Sequence, residues 1–302
     1  MPINLKKYAA IDIGSNAVRL FIADIIEHDG PTQFKKSELV RVPIRLGADS
    51  FLNQEISKTN IKRLIDAMKA FRLLMNVNGV TVYKACATSA MREASNAAIV
   101  VQKVLDQANI QIDIIDGQTE AKIIAATDLN EILDAKKVYL YVDVGGGSTE
   151  FSIFEGSKKI LSKSFKIGTV RLINDKVSKG TWDALKIWIK THTKPYKALT
   201  LLGSGGNINK LFKMSNKKPL SVLNLSYLEH KLEEFSELSY EERILELGLK
   251  PDRADVILPA THLFLKAMKW SNAKALLVPK IGLSDGIVKS IYAKTIEGQT
   301  LK

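Results

Sequence analysis

VYLYVDVGGGSTEF, residues 138–151, is the most informative stretch of the sequence. Its apolar first half predicts a buried strand, and the three glycines allow backbone angles that residues with a Cβ avoid. A tight turn is expected there, in which N–H groups and hydroxyls converge on phosphate oxygens. Asp143 would stand at the edge of this anion pocket, where a carboxylate tolerates phosphate only across a divalent cation. The stretch therefore predicts a Mg²⁺-assisted phosphate loop, with a plain glycine-rich hairpin as the alternative. Its predicted phosphate contacts are Gly145, Gly146, Gly147, Ser148 and Thr149.

The same order of residues occurs near the N-terminus, in YAAIDIGSN, residues 8–16. An apolar strand again leads to an aspartate, an apolar residue, a glycine and small polar residues. Aligning Asp12 with Asp143 places the two copies 131 residues apart. Two related halves are therefore the leading architecture, with phosphate held from both sides in a cleft between them. The first loop contributes the candidates Asp12, Gly14, Ser15 and Asn16.

Length and composition agree with two soluble domains. The chain has 302 residues, more than a single hydrophobic core usually serves. We expect one domain over residues 1–125, with a last helix at about 287–302 packing back on it, and a second over 126–286. The apolar runs are too short to cross a bilayer and no signal segment opens the chain, which predicts a cytoplasmic protein without membrane contact. The single cysteine, Cys86, predicts a buried structural thiol and no disulfide.

The charge is uneven along the chain. Its net value is +12, of which residues 1–125 carry +3 and residues 126–302 carry +9. A basic second half would attract an anionic polymer or a highly phosphorylated substrate, although a solvated lysine-rich surface is the alternative. Aromatic residues are not interleaved with the lysines, so nucleic acid is not an expected partner.

Three further stretches carry candidate side chains. Arg19 follows the first loop and could direct its guanidinium at phosphate, or be an exposed strand charge. Ser89 and Arg92 lie in ATSAMR, residues 87–92, either as a second wall for an anion or as a plain strand-to-helix turn. Glu120 falls in the first turn of a helix, where carboxylates commonly cap. Because this helix comes just before the chain crosses into its second half, Glu120 is the candidate general base.

Periodicity gives the coarse elements around these stretches. Strands are predicted over residues 17–26 and 33–46, and an amphipathic helix over residues 57–78. The glycines of LLGSGGN, residues 201–207, suit close approach of the backbone to a ligand, with Gly205 as a phosphate contact.

These motifs together resemble the exopolyphosphatase and guanosine pentaphosphate phosphatase family, within the actin, Hsp70 and sugar-kinase superfamily. The resemblance covers nearly the whole chain. It implies an α/β fold of two related actin-like, ribonuclease H-like domains, each a mixed sheet flanked by helices, with an active-site cleft between them. It further implies that Glu120 is the catalytic base and that Asp143 and Glu150 handle Mg²⁺, or Mn²⁺, and the attacking water. Arg171 would be a phosphate contact, or else a charge at a helix start.

Two positions depart from the family pattern. Many members have two adjacent glutamates where this chain has Thr119 and Glu120, and Ser284 stands where an arginine usually follows the leucine. Many members also carry a C-terminal helical extension, and without one the polymer channel would be shorter or built by a homodimer.

Three functions follow as hypotheses. The first is an exopolyphosphatase that removes terminal phosphate from inorganic polyphosphate, and the second is the same chemistry on guanosine pentaphosphate. The third is a non-hydrolytic nucleotide-binding switch of the actin or Hsp70 class, which would leave Glu120 and Arg92 without a role.

Overall fold

The structure is a computed structural model that describes residues 3–125, 127, 132–279 and 281–300. The chain divides into two compact units. Unit 1 comprises Met1–Thr127 and Gly282–Lys302, and unit 2 comprises Asp128–Ile281. Each unit contains one mixed sheet with its own hydrophobic core.

The sheet of unit 1 has the strand order β3-β2-β1-β4-β5. The first three strands are antiparallel neighbours, and β4 and β5 then add in parallel. The middle of the sheet is buried on both faces, which explains the near-continuous apolar run that ends at Ile13. The strands are β1 (Asn4–Ile13), β2 (Val18–Glu27), β3 (Gln33–Val42), β4 (Val82–Ala87) and β5 (Ile112–Ile114).

The helices of unit 1 flank this sheet. The longest begins where the Ser57 side chain accepts a hydrogen bond from the Asn60 N–H, a standard N-cap. The helices are α1 (Leu46–Asn53), α2 (Lys58–Val77), α3 (Ser89–Glu93), α4 (Ala97–Ala108), α5 (Gly117–Ala125) and, from the end of the chain, α13 (Leu283–Thr300).

Helix α13 packs against α5 and strands β1, β2 and β4. Its approach to α5 is very close at Gly286, where a Cβ would come within 2.2 Å of the Ile123 carbonyl oxygen. Only glycine therefore allows the observed packing of α13 on the helix that carries Glu120.

The sheet of unit 2 has the order β10-β11-β9-β6-β7-β8. Read from β8, it repeats the pattern of unit 1: three antiparallel strands, then two parallel additions, with β10 as an extra antiparallel edge. The strands are β6 (Val138–Val144), β7 (Thr149–Glu155), β8 (Lys158–Phe165), β9 (Thr200–Ser204), β10 (Val222–Asn224) and β11 (Ala275–Leu277).

The helices of unit 2 enclose a core that contains the aromatic cluster of Phe151, Phe165 and Trp188. They are α6 (Thr169–Ile173), α7 (Lys179–Thr193), α8 (Gly206–Met214), α9 (Leu225–Glu237), α10 (Tyr240–Leu245), α11 (Pro251–Ala254) and α12 (Ile257–Ser271).

The predicted fold class of two mixed sheets flanked by helices in two related halves is confirmed. One element boundary was wrong. The third strand ends at Val42 and Leu46 already begins helix α1, because Arg45 adopts a left-handed backbone conformation with φ 64° between them. Within the part of the chain that the structure describes, no helix is both long enough and apolar enough to span a membrane.

Candidate active site

The first phosphate-loop candidate in unit 1 is the hairpin between β1 and β2. Asp12 and Arg19 are directly opposite each other across the two antiparallel strands, which places both side chains on one face. Arg19 Nη1 donates to Asp12 Oδ2 at 2.5 Å, and Asp12 is buried with 4% of its surface exposed. The ion pair balances the charge of the buried carboxylate.

The turn of this hairpin is fixed by its neighbours. The Gly14 N–H donates to the Ala17 carbonyl at 3.2 Å, and the Gly47 N–H of α1 donates to the Ser15 carbonyl at 2.7 Å. The Ser15 and Ser89 hydroxyls are hydrogen-bonded to each other at 2.9 Å and both residues are buried. The Asn16 carbonyl accepts the Arg45 N–H at 3.0 Å. The structure thus joins two of the predicted stretches, the first loop and the 87–92 segment.

Glu120 lies half-buried in the first turn of α5, as expected. The Asp116 carboxylate caps this helix by accepting the Thr119 N–H at 2.7 Å, and that bond lowers the pKa of Asp116. Arg92 Nη1 donates to the Ile115 carbonyl at 2.6 Å and so holds the segment that leads into the helix. Arg92 therefore supports the position of Glu120, whatever contact it makes with an anion.

The buried thiol of Cys86 lies close enough to Asp12 and Glu120 to feel the charge of both carboxylates. Cys86 pairs with Asp12 across the parallel strands β1 and β4. Burial raises the pKa of the Cys86 thiol to about 11, and the negative charges of Asp113, Asp12 and Glu120 add to this effect. Asp12 and Glu120 thus act electrostatically on one buried side chain, which remains a neutral thiol.

The second loop, in unit 2, pairs two carboxylates. Asp143 and Glu150 are directly opposite each other across β6 and β7. Glu150 is buried, and its Oε1 accepts hydrogen bonds from the Ser148 hydroxyl at 2.6 Å and the Ser164 hydroxyl at 2.9 Å. Two hydroxyl donors therefore fix the orientation of this buried carboxylate.

Asp143 accepts a hydrogen bond from the buried phenol of Tyr141. The Tyr141 hydroxyl donates to Asp143 Oδ2 at 3.3 Å. Burial raises the pKa of Tyr141 well above its ordinary value, and the negative charge of Asp143 raises it further. Tyr141 therefore stays a neutral donor that orients Asp143.

The glycine turn of unit 2 is pinned by helix α6. The Gly146 carbonyl accepts the Val170 N–H at 2.8 Å, and the Gly147 carbonyl accepts Arg171 Nε at 2.7 Å. In a trans peptide the next N–H points opposite to the carbonyl. The N–H groups of Gly147 and Ser148 are therefore directed away from α6, as successive donors in an anion-binding turn are.

Two other glycines allow this arrangement. A Cβ on Gly168 would come within 2.3 Å of the Gly146 carbonyl oxygen. Gly205 has φ 104°, and a Cβ there would lie 2.9 Å from the Val144 carbonyl oxygen and 3.3 Å from Asp143 Oδ1. The predicted loop at residues 201–207 thus brings its backbone against the end of β6.

The two hairpins differ in charge at one equivalent position. The 131-residue offset that relates Asp12 to Asp143 also relates Arg19 to Glu150. In unit 1 the aspartate faces a cation, whereas in unit 2 it faces a second carboxylate. The unit 2 hairpin therefore brings two carboxylates together at the position where the unit 1 hairpin has an ion pair.

This donor set suits a hard divalent cation. Mg²⁺ is usually held by one or two carboxylates together with water and substrate phosphate oxygens, and Asp143 and Glu150 beside the glycine turn are a donor set of this kind. Mn²⁺ accepts the same oxygen ligands. No group of three or more histidine, cysteine, aspartate or glutamate side chains arranged to hold a metal occurs among residues 3–125, 127, 132–279 and 281–300.

Sequence reasoning missed the supporting residues. Ser164 reaches Glu150 from the neighbouring strand β8, and Tyr141 reaches Asp143 from two positions earlier on its own strand. The alternation of side chains along β6 could have indicated Tyr141 as a neighbour of Asp143, because residues two positions apart on a strand lie on the same face. Ser164 depends on the register between β7 and β8, which carries an irregularity between Ile153 and Phe154.

Comparison with known proteins places this geometry in context. The sequence profile of the Ppx/GppA phosphatase family matches residues 38–295. A bifunctional 3-dehydroquinate synthase/phosphatase of Fusobacterium nucleatum is 29% identical over 297 residues, covering 89% of this chain and 44% of that protein. A guanosine-5′-triphosphate,3′-diphosphate pyrophosphatase of Photobacterium profundum is 26% identical over 300 residues, covering 95% and 59%. Exopolyphosphatase 1 of Mycobacterium tuberculosis is 24% identical over 176 residues, covering 56% and 48%.

Solved structures agree with the fold. A Ppx/GppA family member of Aquifex aeolicus is 26% identical with a TM-score of 0.76, covering 97% of this chain and 99% of that one. An exopolyphosphatase of Cytophaga hutchinsonii has a TM-score of 0.86 at 23% identity, covering 96% and 98%, and shows likeness of fold. The chain spans about half the length of the three curated relatives above, with shares of 44%, 59% and 48%.

Proposed function

The chain belongs to the Ppx/GppA phosphatase family, and from this premise we propose that it is an exopolyphosphatase. It removes the terminal phosphate of inorganic polyphosphate as orthophosphate, in a reaction that requires Mg²⁺ or Mn²⁺. The observation that carries the proposal is the unit 2 hairpin, where Asp143 faces Glu150 beside a glycine turn with outward N–H groups.

Asp143 and Glu150 would hold the divalent cation. When bound, the cation would neutralise charge on the phosphate oxygens that the carboxylates would otherwise repel. Tyr141 keeps Asp143 oriented, and the hydroxyls of Ser148 and Ser164 hold Glu150 in place. Each of these bonds reduces the reorganisation that binding requires.

The glycine turn binds the phosphate itself. The N–H groups of Gly147 and Ser148 donate to nonbridging oxygens, where negative charge accumulates as the anhydride bond breaks. Arg171 keeps the turn in its donor-outward form by binding the Gly147 carbonyl. In unit 1, Ser15 and Asn16 are the proposed phosphate contacts of the first loop, and Asp12 of that hairpin is paired with Arg19.

Glu120 is the general base. It takes a proton from water as the water oxygen forms a bond to the terminal phosphorus, and the bond from that phosphorus to the bridging oxygen breaks. The electron pair of the broken bond stays on the shortened chain, and orthophosphate leaves. Asp116 and Arg92 hold the start of α5, so the carboxylate of Glu120 is presented by a fixed helix.

Guanosine pentaphosphate is the second candidate substrate. The Photobacterium relative is named for a guanosine-5′-triphosphate,3′-diphosphate pyrophosphatase activity, and its similarity covers 95% of this chain. Polyphosphate is preferred here because residues 126–302 carry a net charge of +9, which favours a long polyanion.

The test is orthophosphate release by the purified protein with Mg²⁺, comparing long polyphosphate, tripolyphosphate and guanosine pentaphosphate. The proposal expects the highest kcat/KM on the long polymer. A higher kcat/KM on guanosine pentaphosphate would replace polyphosphate by the nucleotide as the substrate. Absence of release from all three would contradict the hydrolase and leave a nucleotide-binding switch.

A further inference from the structure

A concave surface lies among the helices of unit 2 and contains none of the glycine-turn residues. It is a groove of about 1060 Å³ formed by side chains from helices α6, α7, α9, α10 and α12 and the segment before α12. The volume is at the upper end of the range for small-molecule sites. Its lining includes Leu172, Trp182, Lys186, His262, Lys266 and Trp270.

One wall of the groove is aromatic. The Trp182 and Trp270 rings are 6.1 Å apart and meet edge to face, and the His262 ring is 6.0 Å from Trp182. All three side chains are only partly buried. Two of the three tryptophans of the chain are thus partly exposed at a concave site, which offers aromatic surface to a planar ligand.

A cation is fixed on this wall. Lys266 Nζ lies 5.3 Å from the ring centre of Trp182 and 5.4 Å from that of Trp270, within the range of cation–π attraction. Lys186 adds a second ammonium group to the lining, and Arg243 a guanidinium. Against these three cations the lining sets two carboxylates, Asp183 and Asp255.

His262 offers neutral hydrogen-bonding groups next to the rings. Burial lowers its pKa, and the positive charges of Lys266 and Lys269 lower it further. A neutral imidazole presents one donor and one acceptor, as the edge of a heteroaromatic base does.

We propose that this groove is a second ligand site, which binds a nucleoside phosphate with its base on the Trp182 and Trp270 wall and its phosphate at Lys266 and Lys186. The pairing of flat apolar surface with fixed cations fits a ligand that is both aromatic and anionic. A bare anion would not cover the exposed parts of the tryptophans. An uncharged ring would place no negative charge beside the ammonium groups of Lys186 and Lys266.

The groove shares an element with the phosphate loop. Leu172 and Ile173 at the end of α6 line the groove, and the start of the same helix donates from Thr169 and Val170 to the carbonyls of Gly145 and Gly146. A ligand that packs on the end of α6 therefore contacts the helix that holds the glycine turn.

Tryptophan fluorescence measures binding directly. Trp188 lies in the core of unit 2, so Trp188→Phe leaves only the two groove tryptophans as reporters. The variant is titrated with AMP, with adenosine and with ribose 5-phosphate. We expect saturable quenching by AMP and a Kd at least about tenfold weaker for the other two, because each lacks one of the two recognised parts.

A matched pair of lysine variants locates the signal. Lys266→Met should weaken AMP binding about tenfold or more, whereas Lys190→Met, on α7 but outside the lining, should leave it unchanged. Quenching by ribose 5-phosphate equal to that by AMP, or equal loss in both lysine variants, would overturn the proposal. So would absence of quenching by millimolar AMP. The titration requires no turnover, so these results are independent of whether the protein hydrolyses polyphosphate.

Discussion

The two hairpins differ in the charge of the residue that faces the aspartate. Arg19 forms an ion pair with Asp12 in unit 1, whereas Glu150 faces Asp143 in unit 2, although the two pairs of strands are both antiparallel. Two facing carboxylates supply the kind of oxygen ligands that Mg²⁺ accepts, and the unit 1 hairpin offers only one. The proposed metal role of unit 2 rests on this pair of oxygen ligands.

Asp143→Asn tests that role. The amide keeps an oxygen for the Tyr141 hydroxyl but removes one negative charge, so the Mg²⁺ concentration for half-maximal phosphate release should rise about tenfold or more. Activity measured across a Mg²⁺ titration gives this value. Asp106→Asn, an exposed carboxylate on α4, is the control. An unchanged Mg²⁺ requirement in Asp143→Asn would remove this carboxylate from the metal site.

Cys86 predicts a pH dependence of stability. Its folded pKa of about 11 exceeds the ordinary value of 9.0, so the folded state binds the thiol proton more tightly than the unfolded state does. The resulting stabilisation is fully present below about pH 9 and is lost as the pH rises through 11. Between these limits the free energy of unfolding should fall by about 2 kcal/mol more in the wild type than in Cys86→Ala.

Urea unfolding of both proteins at pH 8, 9, 10 and 11 measures the difference. The cavity that alanine leaves lowers stability equally at every pH, so only the slopes are compared. Parallel slopes would contradict the buried, protonated thiol.

At the scale of elements, helix α6 holds the glycine turn through backbone contact. Gly168 precedes this helix, and its hydrogen atoms face the Gly146 carbonyl. Because a methyl group would come within 2.3 Å of that oxygen, Gly168→Ala must displace either the turn or α6. We expect phosphate release to fall and the free energy of unfolding to drop by about 1–3 kcal/mol.

Gly180→Ala is the matched control for this substitution. It lies in α7, and the nearest atom to its added methyl group is Ser178 Oγ at 3.9 Å. Its stability should be unchanged or slightly higher, since alanine has the better helix propensity. Chemical denaturation and phosphate release of the two variants give the comparison. Equal behaviour of both would mean that the contact between Gly168 and the turn is unimportant.

Many of the helices and strands could be predicted from sequence. The period of apolar residues predicted a helix over residues 57–78, and α2 spans Lys58–Val77. The repeat of strand, aspartate and glycine predicted both hairpins. Helix α1 was missed because the break before it depends on Arg45 adopting a left-handed backbone conformation. This conformation is uncommon for residues other than glycine, so the sequence gives no signal for it at an arginine. Ser164 was missed because its position is set by strand register, a long-range property.

At the scale of the whole molecule, charge is the property that favours a polymer. The net charge of +12 predicts that binding of a polyanion weakens as salt rises, since each phosphate contact releases counterions. The KM for long polyphosphate should increase at least about tenfold between 50 and 200 mM salt. Tripolyphosphate makes fewer contacts, and its KM should change less.

Steady-state kinetics of the two substrates over this salt range provide the test. Equal salt dependence for long polyphosphate and tripolyphosphate would show that the basic surface does not bind the polymer. The lysines would then serve as a solvated surface.

The central claim is that Glu120 activates the water that attacks the terminal phosphate. The measurement that tests it most directly is orthophosphate release from long polyphosphate in Mg²⁺ by wild type, Glu120→Gln and Glu55→Gln, an exposed carboxylate of unit 1. We expect a loss of about 10²- to 10⁴-fold in kcat for Glu120→Gln, with polyphosphate binding retained, and no loss for Glu55→Gln. A Glu120→Gln protein that turns over like the wild type would contradict it.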